Sequence, residues 1–543
     1  MIAFVRRRTL LAVVPAIFLL VFFVYPVASI IGRGLYGDAG WQLGALADVG
    51  ADPGLRRVAW FTLWQAVVST VATVAVGLPA AYCFARLEFR GKRVLWAVLI
   101  VPFVLPTVVV ASAVLGVLGP RSPVGIDISG TIWAILLAHV LFNYAVVVRT
   151  VGAFWANLDP TVEEAARVTG ASPWRAFREV TWPLLRAPVL AAASIVFLFT
   201  FTSFGVVLLL GGPGYNTIEV EIYTQTARLL ALDTAAALAV VQLGAVLLML
   251  LAYSRFSMRR TAVEMRAARE TAHRPTTLGT RVLLVVNLAF MAVLLGIPLG
   301  VLVVRSFTGA SGVFDNYTEL NSSRRGSVLF VSPLEAVLNS LQFALAATAI
   351  ALVIGGLASL AIAGTGARTR GGRWLDIALM VPLGTSAVTV GFGFLIALDE
   401  RPLDLRDSLL LVPLAHALVA VPFVIRAMVP ALRSIDPSLR DAASVLGASP
   451  SRTWIEVDLP IVARAAAAAA GFAFAVSLGE FGATVFLARP DRPTLPIAIY
   501  RFLGQPGPSN FGQAMALSTI LMALTVVVVL AIDRWRVRGA GEF

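Results

Sequence analysis

The chain has 543 residues, of which 59% are hydrophobic and only 13% charged, with a mean hydropathy of +0.87 and a net charge of +13. Ordinary soluble proteins carry roughly 25% charged residues, so this composition excludes a typical soluble domain and indicates a membrane protein. The positive charge does not indicate nucleic-acid binding, because the basic residues cluster in short polar gaps between apolar runs, as membrane topology signals do.

Twelve apolar runs are long enough to cross a hydrocarbon core of roughly 30 Å as helices. We therefore predict an all-α polytopic membrane protein with about 12 transmembrane helices, six in each half of the chain. The predicted spans are Leu10–Ile31, Ala59–Phe84, Val94–Leu118, Thr131–Val148, Pro188–Leu210, Ala235–Tyr253, Val282–Val304, Val337–Ala363, Trp374–Leu398, Leu409–Ile425, Ala465–Leu487 and Gly512–Ile532.

The distribution of basic residues predicts the orientation. Most of the 43 Lys and Arg residues fall in gaps that lie inside if both termini are cytoplasmic, as the positive-inside rule requires. The basic residues before Leu10 resemble a signal peptide. However, the first run is long enough to span and has no clear cleavage site, so we expect a retained helix. The gap Ser254–Arg281 then joins two halves, predicted as 1–265 and 282–543 with a cytoplasmic connector at 266–281.

The two halves contain a repeat with an offset of 277 residues. Residues 136–223 align without gaps to residues 413–500. An even number of spans per half makes the repeats parallel, related by a pseudo-two-fold axis along the membrane normal, and such repeats place the substrate path between them. The matched pairs include His139 and His416, Arg149 and Arg426, Pro160 and Pro437, Pro183 and Pro460, Phe204-Gly205 and Phe481-Gly482, and Tyr223 and Tyr500.

Two polar gaps on the predicted inner side are much longer than a turn needs. We call them loop 1 (149–186) and loop 2 (426–464). Each is predicted to form a helix, a break and a second helix. Asp-Pro and Ser-Pro pairs would start the helices, a glycine with positive φ would reverse the chain, and Pro183 and Pro460 would end the second helix.

These loops resemble the EAA loop of importer-type ABC permeases, in which Glu-Ala-Ala is followed by Gly and then by Ile-x-Leu-Pro. Loop 1 has Val180 and Trp182 in the last element, whereas loop 2 has Asp441 in place of Glu and Val457 in place of Ile. The resemblance implies a short coupling helix that docks on a separate ATPase. The implied coupling residues are Glu164, Ala165, Ala166 and Gly170 in loop 1, and Asp441, Ala442, Ala443 and Gly447 in loop 2.

The family resemblance covers nearly the whole chain and implies a type I importer permease with two fused halves, in a bacterial cytoplasmic membrane. It implies two ATPase copies and an extracytoplasmic substrate-binding protein as partners. The segments Ile135–Asn143, Thr217–Tyr223 and Thr494–Tyr500 look closer to thiamine permeases than to ferric-iron permeases, so thiamine or its phosphates is the first expectation. Ferric iron is the alternative.

No catalytic, metal or cofactor site is expected in the chain. Cys83 is the single cysteine and the three histidines are scattered, which excludes cysteine-based metal clusters within this chain. Lys92 is the single lysine and Arg93 follows it, so the Gly-Lys-Ser/Thr element of a phosphate-binding loop is absent. ATP hydrolysis would therefore belong to a partner chain.

Polar residues at membrane depth are few, and charged ones there are costly. His139, Asn143, His416 and Glu480 are candidate pathway or gate residues. For the histidines, interhelical hydrogen bonds are the stronger expectation; for Glu480, a hydrogen bond at a helix end is the alternative to a gate. The remaining polar positions are Gln65, Gln242, Asn287 and Gln342.

Prolines in both third spans predict kinks: Pro102 and Pro106 in the first half, and Pro382 in the second. Such kinks suit a gate, although they are also compatible with a static bend. A proton-coupled secondary transporter with six plus six spans is a rival from another class. It would usually have its longest inner loop between the halves, whereas here the long loops follow the fourth and tenth spans. A channel or lipid-associated scaffold would leave the two loops unexplained.

Overall fold

The computed structural model describes residues 2–37, 40–41, 49–257, 271–309, 312–322, 327–365, 370–399 and 403–535. Within these ranges the chain is almost entirely helical, and its strands there are two residues each, Tyr36–Gly37 pairing antiparallel with Gly40–Trp41. The predicted all-α fold class is confirmed. Residues 266–270 of the predicted connector lie outside the described residues.

Both halves of the chain are built from long helices alternating with short ones. The helices of the first half are Ile2–Leu19, Tyr25–Leu35, Pro53–Arg86, Lys92–Val98, Ile100–Val104, Thr107–Leu118, Ile132–Ala156, Thr161–Val168, Pro173–Ala176, Trp182–Phe201, Gly205–Leu210, Ile218–Ala227 and Leu232–Ser257. Those of the second half are Leu278–Met291, Ile297–Ser306, Asp315–Thr318, Pro333–Thr365, Arg370–Met380, Ala387–Ala397, Leu411–Arg433, Pro437–Val445, Pro450–Thr453, Leu459–Gly479, Thr484–Leu487, Leu495–Leu503 and Pro508–Trp535.

Short segments of tighter or wider helix join several of these elements. π-helical turns occupy Leu20–Val24, Phe177–Thr181, Ala292–Gly296 and Trp454–Asp458, and 3₁₀ turns occupy Glu319–Asn321 and Val381–Gly384. The π-turns recur in both halves, inside each first span and near the start of each fifth span. A π-turn, which is wider than an ordinary helical turn, is therefore a feature of both repeats.

Ten helices of the described residues are long and apolar enough to cross a membrane, and two further bent pairs raise the number to twelve if each pair is one span. The predicted count is confirmed in this sense. The ten are Leu11–Leu35, Pro53–Arg86, Ile132–Ala156, Pro173–Phe201, Leu232–Ala252, Leu278–Ser306, Pro333–Ala363, Leu411–Arg433, Pro450–Gly479 and Pro508–Ile532.

The third spans are broken rather than kinked, which corrects the predicted single helices. The pieces meet at 102° in the first half and 100° in the second. In the first half Leu105 is extended (ψ 138°), as the residue before proline must be. In the second half the break follows the 3₁₀ turn that contains Pro382, and the Ser386 side chain caps the next helix by accepting from the Val388 N–H at 3.1 Å.

The fifth spans also differ from the prediction. They begin inside loops 1 and 2, at Pro173 and Pro450, and end at Phe201 and Gly479. The predicted ends at Leu210 and Leu487 instead belong to separate short helices. Apolar composition continues across the break, so hydropathy alone merges the two helices into one span.

Small residues let the helices of each half approach closely. In the second half, Ala344, Ala347 and Ala351 are fully buried along Pro333–Thr365, a stripe typical of membrane helix packing. One close approach is matched between the halves. A methyl group on Gly77 would lie 2.7 Å from Val147, and one on Gly355 would lie 2.7 Å from Val424.

The chain divides into two compact units that do not follow the sequence halves. One unit takes in residues 1–51, 222–243 and 306–541, so it combines the first helix of the chain with most of the second half. The other contains residues 52–221 and 244–305. The sequence boundaries at 265 and 281 describe the repeat and stay a prediction.

Candidate coupling loops and buried histidines

Loop 1 has the helix-break-helix form that its sequence predicts. Its first helix is Thr161–Val168, and the Asp159 carboxylate accepts from the Thr161 N–H at 2.9 Å. Gly170 has φ +95° and the Ala171 N–H returns to the Ala166 carbonyl at 3.1 Å, the bond pattern of a glycine-terminated helix. The predicted left-handed glycine is confirmed.

Loop 2 repeats this backbone. Asp436 caps Pro437–Val445 by accepting from the Ser438 N–H at 2.9 Å. Gly447 has φ +80°, and the Ala448 N–H bonds the Ala443 carbonyl at 2.9 Å. The hydrogen bonds to Ser438 lower the pKa of Asp436 below its ordinary 3.8.

Serines start the next helix in both loops. The Ser172 hydroxyl accepts from the Arg175 N–H at 3.3 Å, and the Ser449 hydroxyl accepts from the Arg452 N–H at 3.4 Å. Pro183 and Pro460, predicted to end these helices, instead lie in the first turn of Trp182–Phe201 and Leu459–Gly479. A π-turn directly precedes each of these helices, so the chain stays helical although proline has no N–H to donate.

The predicted coupling residues lie on the exposed side of both loops. Glu164 and Asp441 are exposed, and so are the first alanines of the two motifs, whereas the second alanines are half-buried. Beside them Val168 is 88% exposed and Val445 87% exposed. An exposed apolar side chain at the same place in both repeats is typical of a surface that a partner covers.

The two repeated histidines are buried and hydrogen-bonded across helices, as expected. His139 lies 2.9 Å from the Ser69 hydroxyl through Nδ1 and 2.8 Å from the Ser203 hydroxyl through Nε2. Asn143 donates to the His139 carbonyl at 3.0 Å, and its own carbonyl oxygen has no hydrogen-bond partner among the described residues. The bonds of His139 connect three segments of the first repeat.

His416 has the same place in the second repeat, with one added carboxylate. It lies 2.7 Å from both the Ser477 and Thr484 hydroxyls, and its Nε2 is 3.2 Å from Glu480. Glu480 also accepts from the Ala483 and Thr484 N–H groups at 2.8 and 3.0 Å. It therefore caps the short helix Thr484–Leu487, while a gate role stays a prediction.

The remaining intramembrane polar residues are held by backbone carbonyls where the structure describes their bonds. Gln65 donates to the Thr200 carbonyl at 2.7 Å and Asn287 donates to the Leu283 carbonyl at 2.8 Å. In the part of the chain that the structure describes, no three His, Cys, Asp or Glu side chains are grouped as metal ligands. Gln65 therefore joins two helices, whereas the bond of Asn287 lies within its own helix.

The family profile named binding-protein-dependent transport system inner membrane component matches residues 73–260 and 351–539. The chain belongs to this family. Its two matches cover one permease half each and include loops 1 and 2, which confirms the predicted family. The protein is a multi-pass ABC importer permease, and the secondary-transporter alternative is not retained.

Curated relatives match this permease over most of its length. The thiamine transport system permease protein of Brucella suis is 28% identical over 507 residues, covering 89% of this chain and 88% of the relative. That of Salmonella typhimurium is 27% identical and covers 90% of both chains. A probable ABC transporter permease protein of Sinorhizobium fredii is 25% identical, covering 90% of this chain and 89% of the relative.

A solved bacterial ABC transporter involved in the import of the acidic polysaccharide alginate is also similar to the permease. The likeness has 17% identity and a TM-score of 0.38, covering 46% of this chain and 93% of that chain.

In each of loops 1 and 2, one side-chain interaction, which we call the tie, was not predicted from the sequence. In loop 1 the Thr181 hydroxyl donates to Glu163 at 2.6 Å. In loop 2 the Arg440 guanidinium donates to Asp458 at 2.8 Å. The residues occupy equivalent positions, 18 residues apart in both loops, but their chemistry differs. An alignment of the two repeats contains this signal, because both residues of the pair differ between loop 1 and loop 2.

Two exposed ion pairs also recur. Arg175 contacts Glu179 at 3.2 Å and Arg452 contacts Glu456 at 2.8 Å, each one helical turn apart. These four side chains are exposed beside the first helices of loops 1 and 2, and the charges within each pair cancel.

Proposed function

We propose that this permease imports thiamine or thiamine phosphates. Two copies of a separate ATP-hydrolysing subunit would bind loops 1 and 2, and an extracytoplasmic binding protein would deliver the substrate to the opposite face. Both termini would lie on the ATPase side of the inner membrane. The named thiamine permeases, similar over nearly nine-tenths of this chain, support the substrate.

The observation that carries the ATPase-coupling role is the duplicated loop. Both copies have a capped helix, a left-handed glycine and exposed motif residues, with Val168 and Val445 at equivalent exposed positions. A lone surface loop of this form would be an ordinary connector. Two copies in register match a partner that is itself present twice.

The helices that leave the loops provide the mechanical link. Pro173–Phe201 and Pro450–Gly479 each run without a break from the docking loop through the predicted membrane depth. A helix of 29 residues is roughly 43 Å long, so a displacement of the loop moves its far end as one body. Those far ends lie next to Ser203 and Glu480, the hydrogen-bond partners of the two buried histidines.

ATP binding would draw the two ATPase subunits together and move both loops, so that the path opens alternately to each side. The chemistry of hydrolysis then belongs to the partner, and this chain supplies the path and the levers. The halves 1–265 and 282–543, joined at 266–281, would act as one fused pair.

Uptake by whole cells tests the proposal. The permease, its ATPase and its binding protein are expressed together in a bacterial host that lacks thiamine synthesis and thiamine uptake. We expect ATP-dependent accumulation of radiolabelled thiamine. Accumulation of radiolabelled ferric iron without thiamine uptake would overturn the substrate assignment.

The matched variants replace glycines that have positive φ. Gly170→Val and Gly447→Val strain loops 1 and 2, and the two substitutions combined in one protein are expected to abolish uptake. Gly125→Val introduces the same strain at φ +70° in open space outside both loops and is expected to retain uptake. Equal loss in all three variants would contradict a specific role of the loops.

A further inference from the structure

One pair of equivalent residues in the two repeats meets side chain to side chain. Tyr223 lies on Ile218–Ala227 and Tyr500 on Leu495–Leu503, two short helices outside the candidate membrane spans. Their side chains hydrogen-bond each other. Residues that are related by a two-fold axis and touch each other lie on that axis.

The axis that relates parallel repeats is where such transporters place the substrate path. Both tyrosines are half-buried, so part of each side chain is accessible. In the proposed topology the two short helices follow the fifth span of each half, on the outer side of the membrane. In that topology the hydrogen-bonded hydroxyls would lie across the outer part of the proposed path.

Aromatic rings surround this pair. Tyr223 packs edge-to-face on Phe486 with centroids 5.8 Å apart, and Tyr500 lies 5.5 Å from Phe481. Phe392 supports Phe486 from behind at 6.4 Å and is fully buried. Ring faces carry negative quadrupole charge and attract planar cations.

One guanidinium adds a donor to the cluster. Arg501 follows Tyr500, is half-buried and interacts with Tyr223 through its charge. Its Nη1 atom is buried and has no hydrogen-bond partner among the described residues. The cluster thus offers ring faces, two phenolic hydroxyls and a guanidinium N–H, a combination that suits a cationic heterocycle bearing a hydroxyl or phosphate oxygen.

We propose that Tyr223, Tyr500 and Phe486 form the outer gate of the path and contact the aromatic cation as it passes. The gate is closed by the hydrogen bond between the tyrosines and opens when the two short helices separate. The passing ring then replaces the lost tyrosine contact with stacking on the same faces. This inference rests on the proposed thiamine transport.

The test uses proteoliposomes that contain the permease with its ATPase, supplied with the thiamine-loaded binding protein. Tyr223→Ala and Tyr500→Ala remove a ring face, and each is expected to raise the KM for thiamine uptake about tenfold, the size of one desolvated cation–π contact. The double Tyr223→Phe/Tyr500→Phe variant keeps the rings and removes the hydrogen bond. Because the bond that closes the gate is lost, this variant should raise ATP-independent thiamine efflux about fivefold.

Tyr144→Phe is the matched control, because Tyr144 is a buried tyrosine whose hydroxyl has no hydrogen-bond partner among the described residues. It is expected to change neither uptake nor efflux. Thiamine monophosphate serves as a second substrate, which carries a phosphate group. In the alanine variants, a tenfold rise in the KM for both substrates would show that the lost contact is to the aromatic ring and not to the phosphate.

A labelling measurement covers the case in which an alanine variant fails to fold. The single native cysteine, Cys83, is buried, so Tyr500→Cys introduces one reactive thiol. Thiamine during turnover should slow its labelling by a small thiol reagent.

The outcomes separate the two proposals. Wild-type protein that takes up no thiamine overturns the proposed function. Wild-type uptake with an unchanged KM in both alanine variants, or labelling at Tyr500→Cys that thiamine does not slow, overturns the gate.

Discussion

Loops 1 and 2 share one backbone but hold it with different side chains. In loop 1 a neutral hydroxyl, Thr181, donates to Glu163, whereas in loop 2 an ion pair joins Arg440 to Asp458. The caps, the glycines and the exposed valines are the same in both. The exposed surface of the two loops is therefore the same, although different side-chain pairs stabilise it.

A buried arginine accompanies the loop that lacks an ion pair. Arg86, at the end of Pro53–Arg86, is buried and close enough to Glu163 for their charges to interact. The corresponding end of the helix Pro333–Thr365 in the second half, residues 360–365, has no charged residue. In loop 2 the positive charge is part of the tie itself, as Arg440. In loop 1 it is supplied by Arg86 on a neighbouring span.

We expect the strongest effect from reversing the charge in the loop 2 tie. Arg440→Glu places a second carboxylate next to that of Asp458, whose side chain is only 10% exposed. We expect local destabilisation of roughly 2–4 kcal/mol, measured by hydrogen exchange of the amides in Pro437–Val445. Adding Asp458→Thr recreates the loop 1 pair and should recover all but about 1 kcal/mol. A double variant as unstable as the single one would contradict the equivalence of the two ties.

Thr181→Val probes the corresponding tie in loop 1. The change keeps the side-chain shape and removes one hydrogen bond to Glu163, so we expect a loss of about 1 kcal/mol in the exchange stability of Thr161–Val168. Thr202→Val, at a hydroxyl that bonds its own helix at Leu198, is the control and should leave loop 1 unchanged. Protection lost equally in both variants would show that the tie is not specific.

A weaker effect is expected at the helix caps, with a defined pH dependence. Since hydrogen bonds lower the pKa of Asp436 below 3.8, its capping contribution is complete above about pH 4 and disappears as the pH falls through the lowered value. Asp436→Ala should weaken protection of loop 2 at neutral pH, and Asp436→Asn should keep it. Loss of protection between about pH 8 and 6 in the wild type would contradict this assignment.

The exposed ion pairs should matter least. Glu179→Gln and Glu456→Gln break pairs that lie in solvent, and such pairs contribute little to stability. The midpoint of thermal unfolding in detergent should not change in either variant. A clear fall in the midpoint would show that these pairs brace the loops.

The sequence predicted the features that depend on neighbouring residues. The spans, the repeat, the serine caps and the positive φ of Gly170 and Gly447 all follow from local composition and from the limited conformations of glycine and proline. The exposed motif residues followed from the family resemblance, because a docking helix must face its partner.

Features that depend on packing were missed. The 102° and 100° breaks, the true ends of the fifth spans and the role of Pro183 need the π-turns and bends that hydropathy does not register. The ties in the two loops join residues 18 positions apart, and only the folded loop brings them together. The hydroxyl partners of His139 and His416 were missed for the same reason.

Two chemically different loops are thus proposed to dock equivalent partners. Native mass spectrometry of the detergent-solubilised permease, co-expressed with its ATPase, would count the ATPase subunits bound to each variant. We predict two copies on the wild type and on Gly125→Val, fewer on Gly170→Val or Gly447→Val alone, and none on the double variant. One copy on the wild type, or two on the double variant, would contradict equivalent docking.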